Sequence, residues 1–176
     1  MKFALSSLLI GSLLLTGCAA SVKKTASDAP IKTTAESAQQ ITLNITGSTI
    51  ATTSSDWEPL KSEWRAAMQT AASTIGAKFS TQEGSTQTET GPGTLVVVYV
   101  NDYRYISTGA RYGFGVMTGN AFVDASVQLR DLKTGALLGE RKYNTSSSAW
   151  EGAFAAMTGK QIQAISTEIA DEIRVK

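Results

Sequence analysis

The chain has 176 residues, with 16 Lys and Arg against 15 Asp and Glu, one cysteine and no histidine. That near-neutral balance argues against a nucleic-acid binder, which would carry a basic excess or stripe. A single thiol forms no internal disulfide, and the absence of histidine removes the commonest metal ligand.

Met1-Lys2 opens an apolar run from Phe3 to Leu15, which ends in Leu15-Thr16-Gly17-Cys18. The run is shorter than the roughly 20 residues a membrane-crossing helix needs, so it is a signal h-region and not a permanent span. The four closing residues match the lipobox of bacterial lipoprotein signals, with cleavage before Cys18 and residues 1–17 removed. A cut after Ala20, giving a free periplasmic protein, is the competing reading. Cysteine is required because only a thiol accepts a thioether-linked diacylglyceryl group, after which the freed amine takes a further acyl chain. One chain anchors marginally and two or more anchor stably, at about 0.8 kcal/mol per buried CH₂. The membrane is thus the first partner, reached through lipidated Cys18. Ala19 follows the cysteine where an aspartate would resemble an inner-membrane retention signal, which favours the outer membrane, facing the periplasm. Cleavage also removes Lys2, leaving a formally neutral mature chain.

Residues 18–40 are rich in Ser, Thr, Ala and Lys, with one proline and few large apolar residues. This composition predicts a lipid-anchored flexible tether with an end-to-end distance on the order of 25 Å. Lys23 and Lys24 within it either touch anionic headgroups or are solvated linker charges.

A single domain is expected over 41–176, long enough to bury a normal core without staples. Ile41, Leu43 and Ile45 alternate with Thr42, Asn44 and Thr46, the pattern of a half-buried strand ending at Gly47. Ser55-Asp56-Trp57-Glu58 reads as a capping box, and Trp57, Leu60, Trp64, Ala67, Met68, Ala71 and Ile75 recur at helical spacing up to Gly76. The tryptophans on this stripe read as core, with a sugar platform as the competing role. A short strand over 77–82 and a Gly/Thr-rich loop lead to Thr94–Ile106, whose continuous apolar start predicts a central strand buried on both faces. Over 120–131, Ala121, Val123, Ala125, Val127 and Leu129 point one way and polar residues the other. Asp131-Leu132-Lys133-Thr134-Gly135 is a tight turn, and 136–145 returns as the hairpin partner.

The final helix is expected over 158–174. Thr158 and Gln161 fit a capping box, Met157 and Ile162 a hydrophobic staple, and Ile162, Ile165, Ile169 and Ile173 a buried stripe. Gln163, Glu168, Asp171 and Glu172 are assigned to its solvated face. The order β-α-β-β-β-β-α implies an α+β fold: one mostly antiparallel sheet of about five strands with two helices packed on it.

The stretch Asn101–Gly115 collects Tyr103, Tyr105, Tyr112, Arg104 and Arg111 with several glycines. Gly113, Gly115 and Gly119 miss the dinucleotide fingerprint and precede a strand, so they do not read as a phosphate cradle. A glycine-rich loop with an arginine (Gly109, Arg111, Gly113, Gly115), followed by an alternating strand and an Asp-x-x-Thr-Gly hairpin (Asp131, Thr134, Gly135), resembles a domain-of-unknown-function family of Gram-negative lipoproteins. The resemblance covers roughly residues 41 to 175 and brings no assigned reaction. The element order is more distantly similar to small envelope-assembly lipoprotein domains, a likeness of fold.

Phe114-Gly115-Val116-Met117-Thr118-Gly119 recurs in form as Phe154-Ala155-Ala156-Met157-Thr158-Gly159. The hairpin turn at 131–135 puts both segments at its opposite end. Phe114, Met117, Trp150, Phe154 and Met157, with Arg111 and Tyr112 nearby, are the candidate binding residues there, for an envelope protein or glycan. The competing reading is that they plug the core.

No histidine base, nucleophile elbow, metal cluster or spaced carboxylate pair is recognisable, and no small-molecule cofactor motif is present. The sequence therefore predicts a membrane-anchored, non-catalytic lipoprotein that binds or assembles something in the cell envelope. The alternative is a carboxylate-dependent enzyme acting on peptidoglycan or another glycan.

Overall fold

The computed structural model describes residues 21–25, 31–84, 91–106, 120–146 and 157–174. These residues form a mixed six-stranded sheet and three helices. The strands are β1 (Ser21–Thr25), β2 (Gln40–Gly47), β3 (Lys78–Gln82), β4 (Thr94–Arg104), β5 (Phe122–Asp131) and β6 (Leu137–Ser146). The helices are the single turn α1 (Thr49–Thr52), α2 (Trp57–Thr74) and α3 (Met157–Ile173). The sheet order is β1-β6-β5-β4-β2-β3.

Strands β2, β3 and β4 are mutually parallel where they meet, while β4-β5, β5-β6 and β6-β1 are antiparallel. The parallel part follows from the β2-α2-β3 connection, because an intervening helix carries the chain back to start a neighbouring strand in the same direction. The sheet has one strand more than the sequence suggests. The additional strand is Ser21–Thr25, which lies in the stretch read as a tether and pairs with β6. Its alternation is too short to be told from a polar linker without knowledge of β6.

Two ends of the sheet can be distinguished. At the turn end the β5-β6 hairpin closes through Asp131–Ala136. At the open end Arg104, Phe122, Ser146 and Ser21 lie side by side across β4, β5, β6 and β1. Both long helices start at the open end. Trp57 packs beside Gly47 there, and Met157 lies with Ile106 and Ala121. Ile173 carries the end of α3 to the turn end, where its carbonyl accepts from Thr33 Oγ1 at 2.8 Å.

The helices cover one face of the sheet. From β2, β4 and β5 that face contributes Ile41, Leu43, Val96, Val98, Val100, Val123, Ala125, Val127 and Leu129, each 0–1% exposed. Onto it pack Leu60, Trp64, Met68 and Ala72 of α2 and Ile162, Ile165, Ile169 and Ile173 of α3. Both isoleucine and tryptophan stripes thus fall on the core side, as their spacing predicts. The other face is polar over much of its area, with half-exposed Tyr99 beside Ser126, Gln128, Lys142 and Asn144.

Two expected caps are built differently. Asp56 precedes α2 but makes no side-chain cap bond. The turn that follows α1 delivers the Ser54 carbonyl to the Trp57 amide at 3.1 Å, so backbone takes that role. Thr158 and Gln161 are fully buried and turn their side chains to the sheet instead of to the helix start. The β5-β6 turn is as expected: Gly135 has φ +72°, and Asp131 Oδ1 accepts from the Thr134 amide and hydroxyl, both at 2.8 Å.

Candidate functional site

The open end gathers the starts of both long helices, the exits of β2, β4 and β6, and the entry of β1, so it is where the fold concentrates chain ends. Ser48 organises its β2-β4 corner. The Ser48 hydroxyl accepts from the Ala51 amide at 3.1 Å and donates to the Asn101 carbonyl at 2.7 Å. Asn101 is the extra residue where the β4-β5 register shifts between Val100 and Asp102. Such a bulge turns the strand and re-aims the side chains beyond it. Past the bulge, Tyr103 meets Trp57 with ring centroids 6.5 Å apart, and Lys61 Nζ lies 5.8 Å over the Trp57 ring.

Tyr103 donates to the Ala51 carbonyl and Tyr105 to Glu63 Oε1, each at 3.4 Å. Burial, and for Tyr105 the neighbouring Glu63 charge, pushes both phenols above the ordinary tyrosine range. They are therefore neutral hydrogen-bond donors at physiological pH, and neither is a ready base.

Thr158 and Gln161 fasten α3 to this end. Thr158 Oγ1 accepts from the Ile106 amide at 2.9 Å, and Gln161 Nε2 donates to the Ala121 carbonyl at 3.0 Å. Met157 is 3% exposed and packs with Ile106 and Ala121, so its contact surface is spent on core packing. The other candidate binding residues, Phe114, Met117, Trp150, Phe154, Arg111 and Tyr112, lie outside the described residues, as does Cys18. The described flanks Ile106, Ala121, Ser146 and Met157 all sit at the open end, opposite the hairpin turn.

A second polar constellation is not legible in the sequence. Glu172 of α3, assigned to the solvated face, has a side chain only 14% exposed. Arg141 of β6 grips it with Nε to Oε1 at 2.8 Å and Nη2 to Oε2 at 2.6 Å, and Lys24 of β1 pairs with the same carboxylate. Lys24 also reaches Glu168 at 3.8 Å. Burial pushes the Glu172 carboxyl up, but the hydrogen bonds from Arg141 and Lys24 outweigh it and leave the group below the usual carboxylate range. The helix period sets Glu172 off the isoleucine stripe and so suggests solvent, whereas the strand order brings β6 and β1 beside it and buries its side chain.

Two shallow clefts among the described residues border α2. One of about 180 Å³ is lined by Leu43, Ile45, Lys61, Arg65 and residues 81–84, and it contains the Arg65–Glu83 ion pair at 2.8 Å. The other, about 350 Å³, runs between α2 and α3 past Glu63, Ala67, Gly159 and Lys160. Among the described residues no three His, Cys, Asp or Glu side chains gather as a metal site would require. What this surface offers chemically is neutral phenol donors, small and apolar side chains, and the charges of Lys61, Glu63, Arg65, Glu83 and Lys160.

No protein-family model matches the sequence, and no curated protein matches it. Solved structures do share the architecture. PelC from Paraburkholderia phytofirmans, solved as a dodecamer, is 13% identical with a TM-score of 0.53, covering 89% of this chain and 98% of that one. An uncharacterised protein is 14% identical with a TM-score of 0.51, over 81% and 96% of the two chains. A protein of Xanthomonas campestris from a domain-of-unknown-function family is 11% identical with a TM-score of 0.42, over 86% and 90%. At these identities the likeness to PelC and to the uncharacterised protein is one of fold.

Proposed function

We propose that this chain is a lipid-anchored lipoprotein of the bacterial outer membrane, facing the periplasm, whose domain binds or assembles envelope components without catalysing a reaction. The observation that carries the reading is Leu15-Thr16-Gly17-Cys18 closing a short apolar run. The chemistry of that motif needs the one thiol the chain has. The open end, with its caps and pinned helices, supports a presenting surface more readily than a reaction centre. The fold shared with PelC, a protein solved as a dodecamer, supports assembly from copies as the mode of action.

Metabolic labelling with an alkyne palmitate tests the anchor: the wild type labels and Cys18→Ser does not. Label on Cys18→Ser overturns the assignment. Mass photometry of the detergent-solubilised mature protein tests assembly, for which a discrete species above the monomer is expected and a monomer at all concentrations counts against it. A zymogram on purified peptidoglycan tests the non-catalytic part, and clearing by the wild-type protein would sink it.

A further inference from the structure

The geometry points to a fixed presentation at the membrane: β1 docks the domain so that its open end rests against the bilayer that holds the acylated Cys18. This orientation rests on the proposed lipid anchor. Ser21 pairs with Ser146, which pairs with Phe122, which pairs with Arg104, so β1 begins at the open end and runs away from it. Cys18 precedes Ser21 by three residues. A fully extended chain covers at most about 3.6 Å per residue, so the β1 corner of the open end, at Ser21, lies within roughly 10 Å of the anchored cysteine. A free coil of the whole segment would have allowed on the order of 25 Å and every orientation.

β1 is held by more than its ladder. Lys24 ties it to Glu172 and Glu168 of α3, and Glu172 is itself clamped by Arg141 of β6. The strand is thereby joined to the helix layer as well as to the sheet edge, and its direction fixes the direction of the whole domain.

The open end is suited to the surface it would meet. On α1, Ile50 is 72% exposed, one of three large apolar side chains so placed among the described residues. Its exposed neighbours Thr49, Thr52 and Thr53 carry no charge. Among the described residues the charges around this end are mixed, Lys61, Arg104 and Lys160 standing with Asp56, Glu58, Glu63, Asp102 and Asp124, so they form no basic surface for anionic lipid. The bilayer contact therefore draws on the acyl chains, the short lead and Ile50, and does not depend on anionic lipid. Leu137, 53% exposed at the turn end, is a matched apolar position that the proposal keeps away from the membrane.

The experiment uses the full mature, acylated protein in zwitterionic phosphatidylcholine vesicles containing a doxyl-labelled lipid. With Cys18 acylated, Ile50→Cys and Leu137→Cys each provide one thiol for an environment-sensitive fluorophore at an already exposed position. Quenching at position 50 is expected to exceed that at position 137 several-fold, and to do so equally when anionic lipid is added. A Gly/Ser insert of about twelve residues between Cys18 and Ser21 lengthens the lead and is expected to level the two signals. Equal quenching at both positions in a protein that floats with vesicles, greater quenching at 137, or asymmetry that survives the insert overturns the orientation and leaves the anchor standing. A protein that lacks acylation and does not float overturns the anchor itself, and the orientation with it.

Discussion

Arg141 and Glu172 show how one residue pair sets the chemistry of a whole corner. Arg141 is 5% exposed and its fork engages both oxygens of Glu172, a geometry that gives the pair strength and direction. Glu172→Gln deprives this buried cation of its carboxylate and is expected to cost about 3 kcal/mol, read as a lowered urea midpoint. Lys24→Ala removes a partner whose side chain is 37% exposed and is expected to cost less than about 1 kcal/mol. The folded-state pKa of Glu172 lies below its unfolded value, so its stabilisation is fully present above the unfolded carboxyl pKa and is lost as pH falls through the folded value. The gap between wild type and Glu172→Gln should thus hold at neutral pH and narrow as pH falls below the ordinary carboxyl range toward the lower folded-state pKa. Tyr143 gives the opposite case. Its hydroxyl is buried with no hydrogen-bond partner among the described residues, and burial with the Glu172 and Glu168 charges drives its pKa upward. Tyr143→Phe removes a desolvated polar group and should leave thermal stability unchanged or raise it by up to about 1 kcal/mol.

Among the elements, those with long periodic patterns are the ones the sequence specifies best. Alternation places β5 almost to the residue, and the isoleucine stripe places α3, because both patterns report burial on a face that tertiary structure then supplies. Caps are less readable, since the side chains that cap in isolation find other partners in the fold. Thr158 is the instructive example: Thr-x-x-Gln at a helix start suggests reciprocal capping, but the hydroxyl serves the Ile106 amide. Thr158→Val keeps the shape and strands that N–H, at an expected cost of about 1–3 kcal/mol in a denaturant titration. In the hairpin turn, Asp131 accepts twice from Thr134, and those hydrogen bonds lower its pKa. Asp131→Ala should cost on the order of 1 kcal/mol at neutral pH. That cost vanishes as pH falls through the folded-state pKa of Asp131 and its protonation removes the advantage in the wild type. β1 is illegible in the sequence because five residues of Ser, Val, Lys, Lys and Thr carry no alternation that a linker would not also show.

For the molecule as a whole, stability is graded outward from the centre of the sheet. β4 is flanked by β2 and β5 and lies under the helix layer, while β1 and β3 are the edges. Native-state hydrogen exchange should find the Val96 and Val98 amides among the slowest, near the global unfolding free energy, and the β1 amides opening first. Uniform protection across the six strands would contradict this gradient. The candidate site is only partly legible for a related reason: its anchoring residues Ser48, Thr158 and Gln161 are identifiable only once the strand order is known, whereas the lipobox needs no fold at all.

The placing of the first strand beside the last has a consequence for the timing of biogenesis. On the proposed export route, residues 21–25 leave the translocation channel well before their partner strand, residues 137–146. On that route the sheet cannot be completed until β6 has crossed. Throughout that interval β1 has no partner strand, which under the proposed anchor leaves Cys18 open to the enzymes that would acylate and cleave there. Once β6 arrives and pairs with β1, folded structure begins three residues after Cys18, so under the proposed anchor the order of events favours processing before folding.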